Sequence, residues 1–262
     1  MPEALLWLDR VSRNFGGLQA VAECSFDVFE GRITGLIGPN GAGKTTVTNL
    51  IAGEMRPSGG RILLHGRDIT GWSAHRVARA GIARTFQLAR ELGGLTVMEN
   101  LLLAPYPQKG ESLWLAILQP PAVRAQEEEL KDRARTLLER LQLAHLRNEP
   151  AQNLSGGQKK LLEIARAMMT RPRLLLMDEP TAGVNPALID QLVTYIRVLR
   201  DELGVSLLII EHNLDVVEAL CEDVIVMAAG SVLARGTMAQ LRQNPAVVDA
   251  YLGGGGSEYA AL

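Results

Sequence analysis

The chain has 262 residues, 47% of them hydrophobic but only 4% aromatic, which suits a large aliphatic core and disfavours an aromatic-rich β-sandwich. A formal net charge of −2, with no run of five or six like charges, argues against a nucleic-acid partner. Two cysteines far apart, Cys24 and Cys221, make neither a disulfide framework nor a CxxC metal site, so both read as small apolar residues in a reducing compartment.

The first residues, "MPEALLWLDR", lack the basic start of a signal peptide, and no apolar run approaches the ~20 residues that cross a bilayer. The expectation is a soluble, cytoplasmic chain. "ALLWLDRVSRNF" and "ECSFDVFEGRITGLIGPN" alternate apolar and polar residues around a Glu-Gly turn, which predicts β-sheet. A helix follows in "KTTVTNLIAG", closing at Gly53, then strand and turns in "GGRILLHGRDIT". "SAHRVARAG" reads as a short helix with Ser73 as N-cap and Gly81 past its end. A helical region starts between Leu95 and Leu103.

Prolines at 105, 107, 120 and 121 fence off "SLWLAIL", whose Trp114 reads as helical-insertion core or as a docking surface. "AVRAQEEELKDRARTLLERLQL" carries a helical apolar stripe through Val123, Leu130, Ala134, Leu137, Leu138 and Leu141. Glu127–Lys131 and Glu129–Arg133 are its expected i,i+4 ion pairs. From Leu154 onward helix and strand alternate, ending in a strand over "DVIVMAAGSVLARG", which predicts a parallel sheet covered by helices. Arg67, Arg76, Arg79, Arg84 and Arg90 read as a solvated face, with contact to a partner or to lipid headgroups as the alternative. The tail 253–262 is flexible by composition.

Four segments carry chemistry. "GPNGAGKT", Gly38 to Thr45, fits the phosphate-binding pattern G-x-x-x-x-G-K-[S/T] between an apolar strand and a helix. Its glycines let backbone N–H groups wrap phosphates, Lys44 reaches the β/γ oxygens, and the Thr45 hydroxyl can ligate Mg²⁺. "LLLMDEP" places Asp178 and Glu179 at the end of a buried strand, where parallel sheets bind ligands. Asp178 suits the Mg²⁺ shell and Glu179 suits activation of an attacking water. His212 closes the apolar run "SLLIIEH" at the same rim. "NLSGGQKK" starts a helix with Ser155, Gly156, Gly157 and Gln158, a second anion-binding helix start far from the first.

In this order and approximate spacing the P-loop, Gln87, "LSGGQ", "LLLMDEP" and His212 resemble the ATP-binding-cassette (ABC) ATPases along nearly the whole chain. The resemblance implies an α/β P-loop fold: a mostly parallel sheet, an N-terminal antiparallel β subdomain and an inserted helical subdomain. The core would be 1–87 with 158–252, and the helical subdomain 88–157. It further implies ATP held by Gly38, Asn40, Gly41, Ala42, Gly43, Lys44, Thr45 and Thr46, with Phe15 stacked on adenine and Val21 beside it. Mg²⁺ would lie among Thr45, Gln87 and Asp178, and Glu179, His212 and Gln87 would serve hydrolysis. Ser155 to Gln158 would cap the ATP of a second ATPase subunit. Where many members carry an aspartate in the loop after Glu179, this chain has Asn185 in "TAGVNP".

"FGGLQAV", "ARTFQLARELGGLTVMENLLLA", "EPTAGVNP" and "NPAVVDAYLG" resemble most the ATPases of branched-chain amino acid importers. Urea or amide importers and lipopolysaccharide-export ATPases share much of this pattern. The implied partners are a second ATPase subunit, two membrane permease subunits at the cytoplasmic face of the membrane, and indirectly an external solute-binding protein. A soluble ABC protein acting on nucleic acid is the contrasting reading.

Overall fold

A computed structural model describes residues 4–85, 92–105 and 120–252. Their contacts fall into two units, the described residues of Met1–Arg84, Arg173–Ala182 and Ile196–Leu262, and those of Thr85–Pro172 and Gly183–Tyr195.

The first unit holds two sheets. Strands β1 (Ala4–Phe15), β2 (Leu18–Phe29), β4 (Gly59–Leu64) and β5 (Arg67–Asp68) form an antiparallel sheet in the order β2-β1-β4-β5. β3 (Ile33–Ile37), β6 (Ile82–Arg84), β7 (Leu174–Asp178), β8 (Ser206–Ile210), β9 (Asp223–Ala228) and β10 (Ser231–Gly236) form the second, ordered β10-β9-β3-β8-β7-β6. Every pairing in it is parallel except β9 with β10. All five residues of β3, of β7 and of β8 are buried, as expected of strands covered on both faces.

Because strand side chains alternate, the parallel strands feed two cores at once. Leu36, Ile225 and Met227 face a core shared with the antiparallel sheet and with Val47, Leu50 and Ile51 of helix α1 (Lys44–Ile51). Their neighbours Ile37, Val224 and Val226 face Val217 of α7 (Leu214–Leu220), Met238 and Leu241 of α8 (Met238–Arg242), and Val247 and Tyr251 of α9 (Pro245–Leu252). The remaining helix wholly in this unit, α2 (Ala74–Arg79), starts after Ser73 as expected, although the serine side chain makes no cap bond. The run 223–236 is a hairpin rather than one strand, because Ala229, at φ 48°, and Gly230, at φ 82°, reverse the chain. Helix α6 (Ile189–Asp201) begins in the second unit and ends in the first.

In the second unit α3 (Val97–Leu102), α4 (Pro121–Arg140) and α5 (Gly156–Met169) pack on one another. This packing carries α5 into the helical unit, so the unit extends to Pro172 where the sequence partition ended at 157. Thr96 with Glu99 and Ser155 with Gln158 form reciprocal capping boxes at α3 and α5. Both expected i,i+4 pairs on α4 are replaced. Lys131 bonds Glu128 at 2.7 Å, one turn position nearer than Glu127. Arg133 instead donates to the Met168 carbonyl at the end of α5 (2.7 Å), and Glu129 pairs with Arg171 (2.5 Å). The Met168 carbonyl also accepts from the Arg171 N–H (3.1 Å), and the negative dipole end of α5 there favours a cation.

Among the described residues, no helix is long and apolar enough to cross a membrane.

Candidate active site

The turn leaving β3 leaves no room for a side chain at two of its glycines. Gly38 sits at φ 150°, and a Cβ there would lie 2.1 Å from the Met227 carbonyl oxygen. Gly43, the N-cap of α1 at φ 97°, would drive a Cβ to 2.6 Å from the Ala20 carbonyl oxygen. The first turn of α1 has neither a side-chain cap nor an acidic residue, which leaves its N–H groups and positive dipole end for an anion. Lys44 is buried and folds back on the loop, its Nζ donating to the carbonyls of Gly38 (2.6 Å) and Pro39 (3.0 Å). Burial lowers its pKa from the ordinary lysine value, while the charges of Glu179 and Asp178 partly oppose that fall.

This loop floors a groove of about 650 Å³ lined by Phe15, Leu18, Gln19, Ala20, Asn40 through Thr46, Glu179, Ile210, His212, Ala229 and Gly230, within the size range of ligand sites. Phe15 is 41% exposed at one side, with the Arg13 guanidinium 4.7 Å from its ring centre. Opposite the loop, the His212 Nε2 lies 2.9 Å from Glu179 Oε1. Glu179 adopts φ 47°, an uncommon conformation for a residue with a Cβ, and its N–H donates to the Ile210 carbonyl (2.9 Å).

Of the residues expected here, Phe15, Asn40, Gly41, Ala42, Gly43, Lys44, Thr45, Thr46, Glu179 and His212 converge on this one groove. Gly38 lies beneath it, reached by Lys44. Val21 does not line it: the side chain is fully buried in the core, and Leu18, Gln19 and Ala20 form the wall instead. Gln87, Arg90 and Trp114 lie outside the described residues. Asp178 is buried behind the rim, its Oδ2 accepting from Arg84 Nη2 at 3.0 Å.

That contact corrects the solvated-face reading of Arg84. Its side chain is only 11% exposed and also bonds Glu54 Oε2 (2.9 Å) and Asn49 Oδ1. Arg67 and Arg76, by contrast, are exposed, lying over the Trp72 ring. A second group missed in the sequence is Glu211, 3% exposed, which receives hydrogen bonds from Thr181 and from the N–H groups of His212 and Asn213. The signal for it in the sequence is a carboxylate set directly after the four apolar residues Leu207–Ile210 in "SLLIIEH".

In the helical unit, the signature segment Ser155–Gln158 starts α5 with a capping box. Ser155 Oγ accepts from the Gln158 N–H (3.3 Å) while Gln158 Oε1 accepts from the Ser155 N–H (2.9 Å). Ser155 and Gly156 remain exposed, so capping the helix leaves the serine at the surface. Nearby, Asn185 Oδ1 accepts from the Ala187 N–H at 3.0 Å and caps the turn Pro186–Leu188. An amide oxygen does that as well as a carboxylate, so local turn geometry does not require an aspartate here.

Residues 21–182 match the family model described as ABC transporter. The chain belongs to the ABC transporter family. It is an ATP-binding subunit, the ATPase component of a transport system. The match ends before His212, but curated relatives cover the rest of this ABC ATPase. It is 42% identical over 253 residues to the high-affinity branched-chain amino acid transport ATP-binding protein BraF of Pseudomonas aeruginosa, covering 97% of this chain and 99% of that one. It is 44% identical over 254 residues to a probable branched-chain amino acid transport ATP-binding protein of Archaeoglobus fulgidus, covering 97% of each. A crystal structure of the ADP conformation of an ATP-binding cassette of an ABC transporter superposes with a TM-score of 0.83 at 37% identity, over 95% of this chain and 99% of that one. Residues 231–257 of the cassette match a second model, branched-chain amino acid ATP-binding cassette transporter.

Proposed function

We propose that this ABC ATPase drives the import of branched-chain or other hydrophobic amino acids, working at the cytoplasmic face of a membrane. The observation that carries hydrolysis is the Glu179–His212 pair, 2.9 Å apart across the groove from the phosphate loop. The match of residues 231–257 supports branched-chain amino acids over urea, amides or lipopolysaccharide.

The site works through its own residues in this reading. The loop N–H groups and the start of α1 take the β- and γ-phosphates. Lys44 leaves the Gly38 and Pro39 carbonyls to meet them. Phe15, exposed at the groove edge, stacks on adenine. Glu179 orients a water and takes its proton as the new O–P bond forms and the β–γ bridging bond breaks. His212 turns its imidazole N–H from Glu179 to the γ-phosphate. For the metal, the hydroxyl of Thr45 and the carboxylate of Asp178 are hard oxygen donors, which fits Mg²⁺ bound through one or two protein oxygens plus phosphates. When bound, Mg²⁺ would neutralise charge on the β- and γ-phosphates. Gln87 completes the proposed set.

Ser155, Gly156, Gly157 and Gln158 serve the ATP held by a second ATPase subunit, so one chain carries two different halves of a composite site. The pair drives two membrane permease subunits that receive solute from an external binding protein. In the purified chain, Glu179→Gln should bind ATP and lose all but about one hundredth of the turnover. Near-parent turnover would remove Glu179 as base. Ser155→Arg should leave monomer binding of ATP intact and abolish hydrolysis, and a matching loss of binding would place the segment on its own chain's nucleotide. Reconstituted with its permeases, the complex should be stimulated by leucine, isoleucine or valine with their binding protein and not by urea.

A further inference from the structure

We infer that Glu211 is the positioning residue that holds Glu179 and His212 in register for hydrolysis. The inference rests on the proposed catalytic roles of those two residues. Glu211 follows β8 and is 3% exposed, yet the phosphate loop, adenine edge and signature segment give it no task. Its two oxygens divide between the two catalytic loops. Oε1 accepts from the Thr181 N–H at 2.9 Å and from the Thr181 hydroxyl at 2.6 Å. Oε2 accepts from the His212 N–H at 3.1 Å and from the Asn213 N–H at 3.4 Å.

Thr181 stands two residues beyond Glu179, in a turn closed by the Ala182 N–H on the Glu179 carbonyl (3.0 Å). One carboxylate therefore ties the loop that aims Glu179 to the loop that aims His212. A second tie, the Glu179 N–H on the Ile210 carbonyl at 2.9 Å, joins the same loops on their other side. Between these two ties the Glu179 backbone is kept at φ 47°. An isolated loop would relax out of that region.

The four partners also specify a carboxylate. All are donors, three of them backbone N–H groups that cannot reverse their role, and only an ionised acid accepts at both oxygens. Glutamine keeps the shape but must aim an NH₂ at one pair of donors. It therefore breaks the clamp on one side, loosening either the Glu179 turn or the His212 loop. Such a shift acts on turnover, because a catalytic pair displaced by about 1 Å loses about a hundredfold in rate. ATP affinity, set by the loop at 38–46 and by Phe15, should stay.

The test is single-turnover and steady-state hydrolysis by the full chain, with ATP binding and thermal unfolding measured on the same samples. Glu211→Gln should fold, bind ATP within about twofold of the parent and hydrolyse it about ten to a hundred times more slowly. In a His212→Ala background the same substitution should slow hydrolysis by clearly less than it does in the parent, because the Glu179–His212 register it guards is already lost. Thr181→Val removes one hydroxyl contact and leaves the backbone bond, and should slow turnover several-fold with KM unchanged; it carries the test if Glu211→Gln does not fold. Parent-like kcat in whichever of these variants folds, a loss that appears in ATP affinity, or a full additive loss in the His212→Ala background would each overturn the assignment. Glu179→Gln run beside them separates the two readings. If it keeps turnover, the assignment of the base fails; if it alone loses turnover, only the role of Glu211 fails.

Discussion

Arg84→Met should destabilise the nucleotide-free protein severely, through a carboxylate on the far side of the sheet rim. The guanidinium is 11% exposed and the Asp178 side chain 5%, joined at 3.0 Å. Removing one member of a buried pair costs about 3–5 kcal/mol, because the other charge stays desolvated and unpaired. Two features set the value at the lower end. The Lys44 ammonium interacts with Asp178 and keeps part of its compensation. The second ion pair of Arg84, with Glu54, reaches a side chain that is 36% exposed and adds little. The expected cost is about 3 kcal/mol, which for a chain of this length lowers the apparent Tm by about 6–12 °C. Circular dichroism melts at neutral pH measure it. In an Asp178→Asn background the same substitution should cost only about 1 kcal/mol, since no stranded charge remains. A Tm drop below about 2 °C, or equal costs in the two backgrounds, would refute the idea that Arg84 neutralises Asp178.

Three further outcomes follow from the site. Gly38→Ala should cost about 3 kcal/mol or more, seen as a lower urea midpoint, because its Cβ meets the Met227 carbonyl at 2.1 Å; Gly41→Ala, at φ 79° with nothing within 4 Å, should cost only about 1 kcal/mol. Lys44 has its folded pKa below 10.5 through burial, so between that lowered value and 10.5 rising pH should strengthen the fold. Over the same window it should weaken ATP binding by up to about tenfold per pH unit, since bound phosphate needs the ammonium; equilibrium titrations that show affinity flat to pH 10.5 would count against it. The Cys24 thiol, fully buried and pushed up to about 12, should resist iodoacetamide at about pH 8 in the native protein and react on unfolding, as mass spectrometry would report.

What the chain displays locally was legible. Period-two strands, the glycine spacing of the phosphate loop and the Ser155 helix start all depend on residues within a few positions of one another, and each appears where expected. Residues whose role is set by strand order were not. Arg84 looks like any surface arginine until β6 is placed beside β7, in register Arg84 with Leu176, which leaves a guanidinium within reach of the acid two residues further on. The hairpin of β9 and β10 was hidden for a different reason: apolar residues run from β9 through Ala228 and Ala229 towards Val232 and Leu233, and the turn between the strands, Ala229 and Gly230, carries only one glycine.

Strand register also explains why Glu179, the proposed base, bears a strained backbone. β7 and β8 run parallel with Asp178 opposite Ile210, so the next step along each strand brings Glu179 and Glu211 out of the sheet side by side. Two regular strand ends would send both carboxylates the same way, and like charges on neighbouring strands repel. Glu211 escapes inward, where four donors receive it. Glu179 turns to φ 47°, at a cost of about 1–2 kcal/mol, and emerges in the groove beside His212. The strain and the buried acid are thus two parts of one solution: the carboxylate that stays behind holds the loop that turns the other one outward.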